Sequence, residues 1–392
     1  MNPEQIPATE IGERLRRARD AANIKQAQAA DAIKIARTTL VAIEKGERRA
    51  RVNELQQLAK LYGTSVNALL RKESVHVDLA PRFRKMISAE DTAANQAAAL
   101  LADLAKAEVE LENLLGIKRN LNYPPERPIL PGDVRAQAEN DAMELRQRLG
   151  LGIAPITDIV TLLEMELGVR VYVRRFDGRI CGLFVYDEAL GACILLNANH
   201  PRERRNQTAG HEAGHFIATR RLPEVTHQQE SENSREERYA DAFGRAFFTP
   251  ARAVMQKFQE VTAGSNNLSR RHVIILSHFF GISREAMVRR LEELQLVKPG
   301  TWDWFQANGN ITDEQARQVL GDLQAPDAHK AEADRPTTLR LNLLAAEAYR
   351  KGLLSEGQLA GLLRLDRIEV REILTSQELE GSEADEVTNL LH

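Results

Sequence analysis

His211 and His215, four residues apart, flank a glutamate in the segment His211-Glu212-Ala213-Gly214-His215. No other feature constrains the chain as strongly. In a helix, positions i and i+4 stand one above the other on the same face. Two imidazoles placed that way can address one metal ion through their neutral nitrogens. The residue after the first histidine is turned by about 100°, which sets a carboxylate beside such an ion rather than on it. From there Glu212 can take a proton from a water whose pKa zinc has lowered to about 7. The same residues on a solvated helix would be two surface histidines and a surface charge, so the surroundings decide.

Those surroundings read as strand, polar segment and helix. Cys193-Ile194-Leu195-Leu196-Asn197 is expected to be a short buried strand. A polar stretch from Arg202 to Thr208 follows, and the helix is expected over residues 209–219. A catalytic zinc site has three protein ligands and an open fourth position. A second helix is therefore needed, and Glu237-Arg238-Tyr239-Ala240-Asp241-Ala242-Phe243 offers one. Glu237 can be the third ligand. Asp241, four residues on, can bond the far nitrogen of a liganding histidine and fix its tautomer. Small Ala240 and Gly244 would let the two helices approach closely, while Phe243 and Phe247 face the core. Glu230, Glu232, Glu236 and His227 are rival ligands, and the pairing with Asp241 favours Glu237.

These two segments resemble the ImmA/IrrE family of metallopeptidases. The resemblance lies in Arg204 to His215 and in Glu237-x-x-Ala240-Asp241-x-Phe243-Gly244-x-x-Phe247-Phe248-Thr249-Pro250, with a lead-in helix from Pro155 to Val169, and covers roughly residues 140–295. Phe247-Phe248 and Thr249 depart mildly from the family pattern. The resemblance implies a small gluzincin-like α+β domain with a Zn²⁺ ion on His211, His215 and Glu237, and with Glu212 as general base. It also implies a protein substrate, a repressor whose cleavage switches genes on. Tyr239, Arg238, Arg205 and His227 are candidates for stabilising the oxyanion.

The first 70 residues carry a different signal. Ile11, Leu15, Ala29, Ala30, Ile33, Leu40, Ile43, Leu55, Leu58 and Leu69 suit the core of a five-helix bundle. Gln26 to Ile33 and Ala36 to Gly46 read as the two helices of a helix-turn-helix, joined at Lys34-Ile35 and closed by Gly46 as a cap. This stretch resembles the XRE/Cro-type DNA-binding domain. A recognition helix offers its N-terminal residues to the major groove, and these are Arg37, Thr38 and Thr39. Gln26, Lys45, Arg48, Arg49 and Arg51 fit phosphate contacts. Residues 1–73 hold 14 Lys and Arg against 9 Asp and Glu, although the whole chain is net −3. A basic module on an acidic body suits a reader of double-stranded operator DNA.

Pro81-Arg82-Phe83-Arg84 opens a linker, and residues 89–115 form an alanine-rich helical run with Leu101, Leu104, Leu111, Leu114 and Leu115 along one side. It can pack within the chain or pair two copies, because helix-turn-helix readers commonly bind as dimers. Pro124, Pro125, Pro128 and Pro131 mark a loop. Beyond Pro250 the chain is again helical, with Trp302 and Trp304 expected as packing anchors, residues 326–336 as a linker and residues 378–386 as an acidic tail.

The expected architecture is mainly α with a small α+β domain. It comprises a helix-turn-helix domain over 9–73, a helical linker over 80–135 open to dimerisation, a gluzincin-like peptidase domain with a short sheet over 136–295, and a helical region over 296–392. No apolar run reaches the length of a membrane span, and Met1 is not followed by a signal-type segment, so a cytoplasmic protein without a membrane partner is expected. The only cysteines, Cys181 and Cys193, exclude a disulfide framework and are expected to face each other as buried thiols on adjacent strands. The leading function is a DNA-binding regulator with a zinc endopeptidase domain that cleaves a protein partner under stress. The alternative is a non-proteolytic regulator whose zinc domain senses a ligand or protein.

Overall fold

The computed structural model describes residues 7–22, 24–64, 66, 69, 90–227, 234–321 and 337–384. The linker opening at 81–84, the rival ligands Glu230 and Glu232, the polar stretch 326–336 and residues 385–386 of the tail lie outside these. The chain divides into two compact units, Met1–His76 and Val77–His392.

The first unit packs helices α1 (Ala8–Ala21), α2 (Gln26–Ala32), α3 (Arg37–Glu44) and α4 (Val52–Leu61) around Leu15, Leu40, Ile43, Leu55 and Leu58. Val66 and Leu69, in the span expected for a fifth helix, are helical, and Leu69 lies in the core. Lys34 turns the chain between α2 and α3 with φ of 58°. Gly12 brings α1 onto α3: a Cβ there would stand 2.2 Å from the Ile43 carbonyl.

In the second unit, α5 (Thr92–Leu115) and α6 (Val134–Arg148) precede a short helical lead-in, α7 (Ile159–Thr161), which continues as a π-helical turn over Leu162–Leu167. Strands β1 (Arg170–Arg174), β2 (Ile180–Asp187), β3 (Gly191–Asn197) and β4 (Glu224–His227) form a sheet in the order β1-β3-β2-β4. β1 runs parallel to β3, whereas β2 is antiparallel to β3 and β4. β3 is buried along its whole length, as its unbroken apolar run requires of a strand covered on both faces.

The motif helix α8 (Arg202–Ala218) lies against β2 and β3 on one face, and α9 (Arg235–Phe248) packs against α8 and α6. Helices α10 (Ala251–Val261), α11 (Arg270–Phe280), α12 (Arg284–Glu293), α13 (Thr301–Ala307) and α14 (Asp313–Leu320) follow, then α15 (Leu339–Arg350), α16 (Glu356–Leu363) and α17 (Arg367–Ala384).

Of the two readings of the alanine-rich α5, packing within the chain is the one seen, and three other expectations change. Ala94, Ala97, Leu101, Leu104 and Leu111 are buried, and the helix packs on β1, β2, β3 and α15 within the unit. Its apolar face is thus used inside one chain. The motif helix starts at Arg202 rather than at Ala209: the polar stretch forms the first two turns of α8, and its side chains bond to nearby carbonyls. Arg205 donates to Ala198 and His200, and Asn206 to Gly281. Cys193 pairs with Val185 rather than Cys181, and both thiols are buried and free. Trp302 is buried against Val273 and Val288, but Trp304 is 55% exposed and anchors no core.

A charged cluster holds α5, β1 and α15 together. Glu108 and Glu112 on α5 face Arg119, Arg170 on β1 and Arg340 on α15. Arg170 Nη2 reaches Glu112 at 2.7 Å and Arg340 Nη2 reaches it at 2.8 Å. Burying five charges is tolerable only because each is paired.

Candidate metal centre and DNA-reading face

Helices α8 and α9 touch backbone to backbone. A Cβ on Gly214 would lie 2.7 Å from Ala240 Cα, and one on Gly210 would lie 3.1 Å from Gly244 Cα. This approach brings Glu237 to the two histidines. His211 Nε2 is 3.0 Å from His215 Nε2, and the Glu237 carboxylate lies 3.3 Å from the first and 3.2 Å from the second. The three donor atoms fall within 4.8 Å of one another, the one such group among the described residues.

Both rings are oriented from behind. His211 Nδ1 is 2.9 Å from Asp241 Oδ1, and His215 Nδ1 is 3.0 Å from Thr219 Oγ1. The Thr219 hydroxyl donates to the His215 carbonyl, so it accepts from the ring. With a proton on each Nδ1, both Nε2 lone pairs and a carboxylate oxygen converge on one point. That convergence is repulsive unless a positive charge sits among them. Two imidazoles and one carboxylate are a donor set that would fit a catalytic metal ion.

With the protein groups alone, the positive charge that this convergence calls for falls on His211. Burial disfavours the His211 imidazolium, yet Asp241 and Glu237 outweigh it and push its pKa up to about 10. Burial holds His215 below the usual histidine range. Burial also works against ionised Glu237, but His211 and His215 hold it well below the usual carboxylate range.

Glu212 lies in full burial between α8 and the sheet, and burial pushes its carboxyl up to about 8. Its Oε1 accepts a 2.7 Å hydrogen bond from Thr226 Oγ1 on β4, while Oε2 has no protein partner. Gly182 on β2 leaves room for it: a Cβ there would stand 3.1 Å from Glu212 Oε1 and 2.6 Å from Thr208 Cγ2. Thr219, Thr226 and Gly182 were not singled out by sequence. Thr219 carried a readable signal, four residues beyond His215, whereas Thr226 needed the strand pairing.

The other candidates are elsewhere. His227 Nε2 sits 3.2 Å from Asp91 Oδ2, outside the donor group. Glu236 is exposed. Among the residues suggested for the oxyanion, Tyr239 donates to Asp141, Arg205 holds the Ala198 and His200 carbonyls, and exposed Arg238 bonds the Ser234 carbonyl.

In the first unit, Arg37 and Thr38 are exposed at the start of α3, and Thr39 is half-buried. Gln26 opens α2 and donates to Glu44 Oε2 at 2.8 Å. Glu44 is held in turn by Arg19 Nε at 2.7 Å, so α1, α2 and α3 are fixed by one buried acid. Lys45 and Arg49 are exposed beyond α3. Arg48, expected at a phosphate, makes two guanidinium bonds to Glu54, at 3.0 and 3.1 Å. Burial raises the Glu54 pKa, but Arg48 overrides it and lowers the net value.

Residues 10–71 match the family described as helix-turn-helix domain, and residues 164–292 the family described as IrrE N-terminal-like domain. No curated protein matches the chain. Among solved structures, the crystal structure of ComR from Streptococcus suis aligns over 97% of this chain and 91% of that one, at 10% identity and a TM-score of 0.16. That score is too low to carry an argument. None of the described helices is long and apolar enough to cross a membrane. The chain thus carries an N-terminal segment similar to helix-turn-helix domains, followed by a segment similar to IrrE N-terminal-like domains.

Proposed function

We propose that the chain is a DNA-binding transcription regulator whose second unit is a zinc-dependent endopeptidase. Its substrate is a protein partner, a repressor, and its cleavage changes gene expression under stress. The repressor and the stress setting come from the family resemblance. One observation carries the peptidase reading: His211, His215 and Glu237 converge in a buried site while the fully buried Glu212 keeps one oxygen unpartnered.

His211, His215 and Glu237 would hold the zinc ion. When bound, the ion supplies Lewis acidity, acidifying a water and polarising the scissile carbonyl. Glu212 accepts the proton of the attacking water and passes it to the amine nitrogen as the C–N bond breaks. Asp241 and Thr219 keep both imidazoles presenting Nε2. Burial keeps bulk water from competing for the Glu212 carboxylate.

The first unit would bind operator DNA with Arg37, Thr38 and Thr39 toward the bases, and with Gln26, Lys45 and Arg49 toward phosphates. A homodimer would match paired half-sites, joined through a surface other than the apolar face of α5, which the chain itself covers.

The test compares new protein N-termini in the host for wild type and Glu212→Gln, with metal content measured on both purified proteins. Zinc in both proteins and a cut only with wild type is the expected result. A cut made equally by Glu212→Gln would remove Glu212 from the mechanism. No cut by either under several stresses would leave a ligand-sensing regulator instead.

A further inference from the structure

Glu212 is a long side chain with several rotatable bonds, and proton transfer needs its carboxylate in one orientation. Three features of the sheet edge fix it. Gly182 leaves a gap in β2 where the carboxylate lies. Thr226, the register partner of Gly182 on β4, fills the far side of that gap and donates to Oε1 at 2.7 Å. The pairing is shifted by a bulge: Ile180 faces His227 and Gly182 faces Thr226, so Cys181 is left without a partner on β4. A bulge re-aims the side chains around it, and here it accompanies the placing of Thr226 against Glu212. The next residue, His227, is held at 3.2 Å by Asp91, the N-cap of α5. β4 is thereby anchored from α5 as well as from β2.

We propose that Thr226 is a positioning residue for Glu212: its hydroxyl holds Oε1 and so turns Oε2 toward the space in front of His211, His215 and Glu237. The proposal rests on the reading of Glu212 as the proton acceptor. A carboxylate anchored at one oxygen by a neutral donor keeps the other free to take a proton. The same hydroxyl also offsets part of the cost of burying the charge.

Acetohydroxamic acid reads this arrangement without peptide cleavage. It chelates a metal through its two oxygens and passes its hydroxyl proton to a neighbouring base. Its affinity is measured by calorimetry on the full-length, zinc-loaded protein for wild type, Thr226→Val, Thr226→Ser and Glu212→Gln. Valine keeps the shape of threonine and removes the hydroxyl, whereas serine keeps the hydroxyl.

Loss of one hydrogen bond to a charged group predicts roughly tenfold weaker binding for Thr226→Val. Thr226→Ser should stay near wild type, with zinc content equal in all four proteins. Wild-type affinity in Thr226→Val, with weakened affinity in Glu212→Gln, would overturn the role of Thr226 alone. Unchanged affinity in Glu212→Gln would overturn the reading of Glu212 beneath it. Loss of zinc from Thr226→Val would make Thr226 structural and overturn the proposal as well.

Discussion

Gly244 on α9 rests on Gly210 of α8 with no side chain between them: a Cβ on Gly244 would stand 2.9 Å from both Gly210 C and His211 N. Glu237 lies seven residues earlier on α9, two helical turns along the same face. Gly244→Ala should therefore push α9 outward and carry Glu237 away from the histidines. Overpacking of this kind costs about 1–3 kcal/mol. The expected outcome is a lower melting temperature for the second unit and clearly weaker zinc binding, with DNA binding by the first unit unchanged. Wild-type zinc affinity in this variant would mean that the helices do not set the donor geometry.

Thr219 and Asp241 bond the rear nitrogens of His215 and His211. Losing such a partner typically weakens a metal site about 10–100-fold. Thr219→Val and Asp241→Ala should each show that loss in competition with a chelator, and Thr219→Ser should recover most of it. Equal affinities across the series would show that packing alone orients the rings.

Glu164 is buried in the π-helical turn, and burial pushes its carboxyl up to about 7 from an ordinary value of 4.5. A raised carboxyl favours the fold in its protonated form. That contribution is complete below pH 4.5 and is lost as the pH climbs through about 7. Relative to Glu164→Gln, wild type should lose on the order of 3 kcal/mol between pH 4.5 and pH 8. Urea unfolding of both proteins at the two pH values measures the change. A difference that does not vary with pH would show that Glu164 titrates like an exposed glutamate.

Arg37 and Arg48 should behave differently although both were candidates for DNA contact. Arg37→Ala should weaken binding to a duplex selected from random DNA by about 1–3 kcal/mol and relax its sequence preference. Arg48→Ala leaves Glu54, which is buried, without its bidentate partner. Its main effect should be a lower melting temperature of the first unit. If instead it weakened binding evenly on all duplexes with stability unchanged, Arg48 would be a phosphate contact after all. Fluorescence anisotropy and thermal unfolding separate these outcomes.

Helical periodicity made much of the site legible. The spacing of His211, His215, Glu237 and Asp241 needs only the rule that residues four apart share a face, and all four meet at one centre. The small residues Ala240 and Gly244 announced the close helix contact in the same way. Strand pairing was not legible. Thr226 reaches Glu212, and Cys181 misses Cys193, because of a hairpin register and a bulge that local sequence does not encode. Polar composition also set the helix start too late: Arg202 to Thr208 reads as a polar stretch ahead of the helix, yet the residues at its centre are buried and bond to carbonyls of other segments. The alanine-rich α5 read equally well as linker, dimer seam or layer, since composition does not name the surface a helix covers.

The layer formed by α5 and α15 bears on where the second unit can be cut. The family match starts at residue 164 and stops at 292, but the far face of β1, β2 and β3 is closed by residues 92–115, with α15 packed against them. A fragment trimmed to the matched span would leave one side of the sheet wet, with Arg170 stripped of both glutamates. The smallest autonomous piece therefore reaches well beyond the recognisable motif on both sides, and changes far from the metal ligands in sequence can still reach the sheet that supports them.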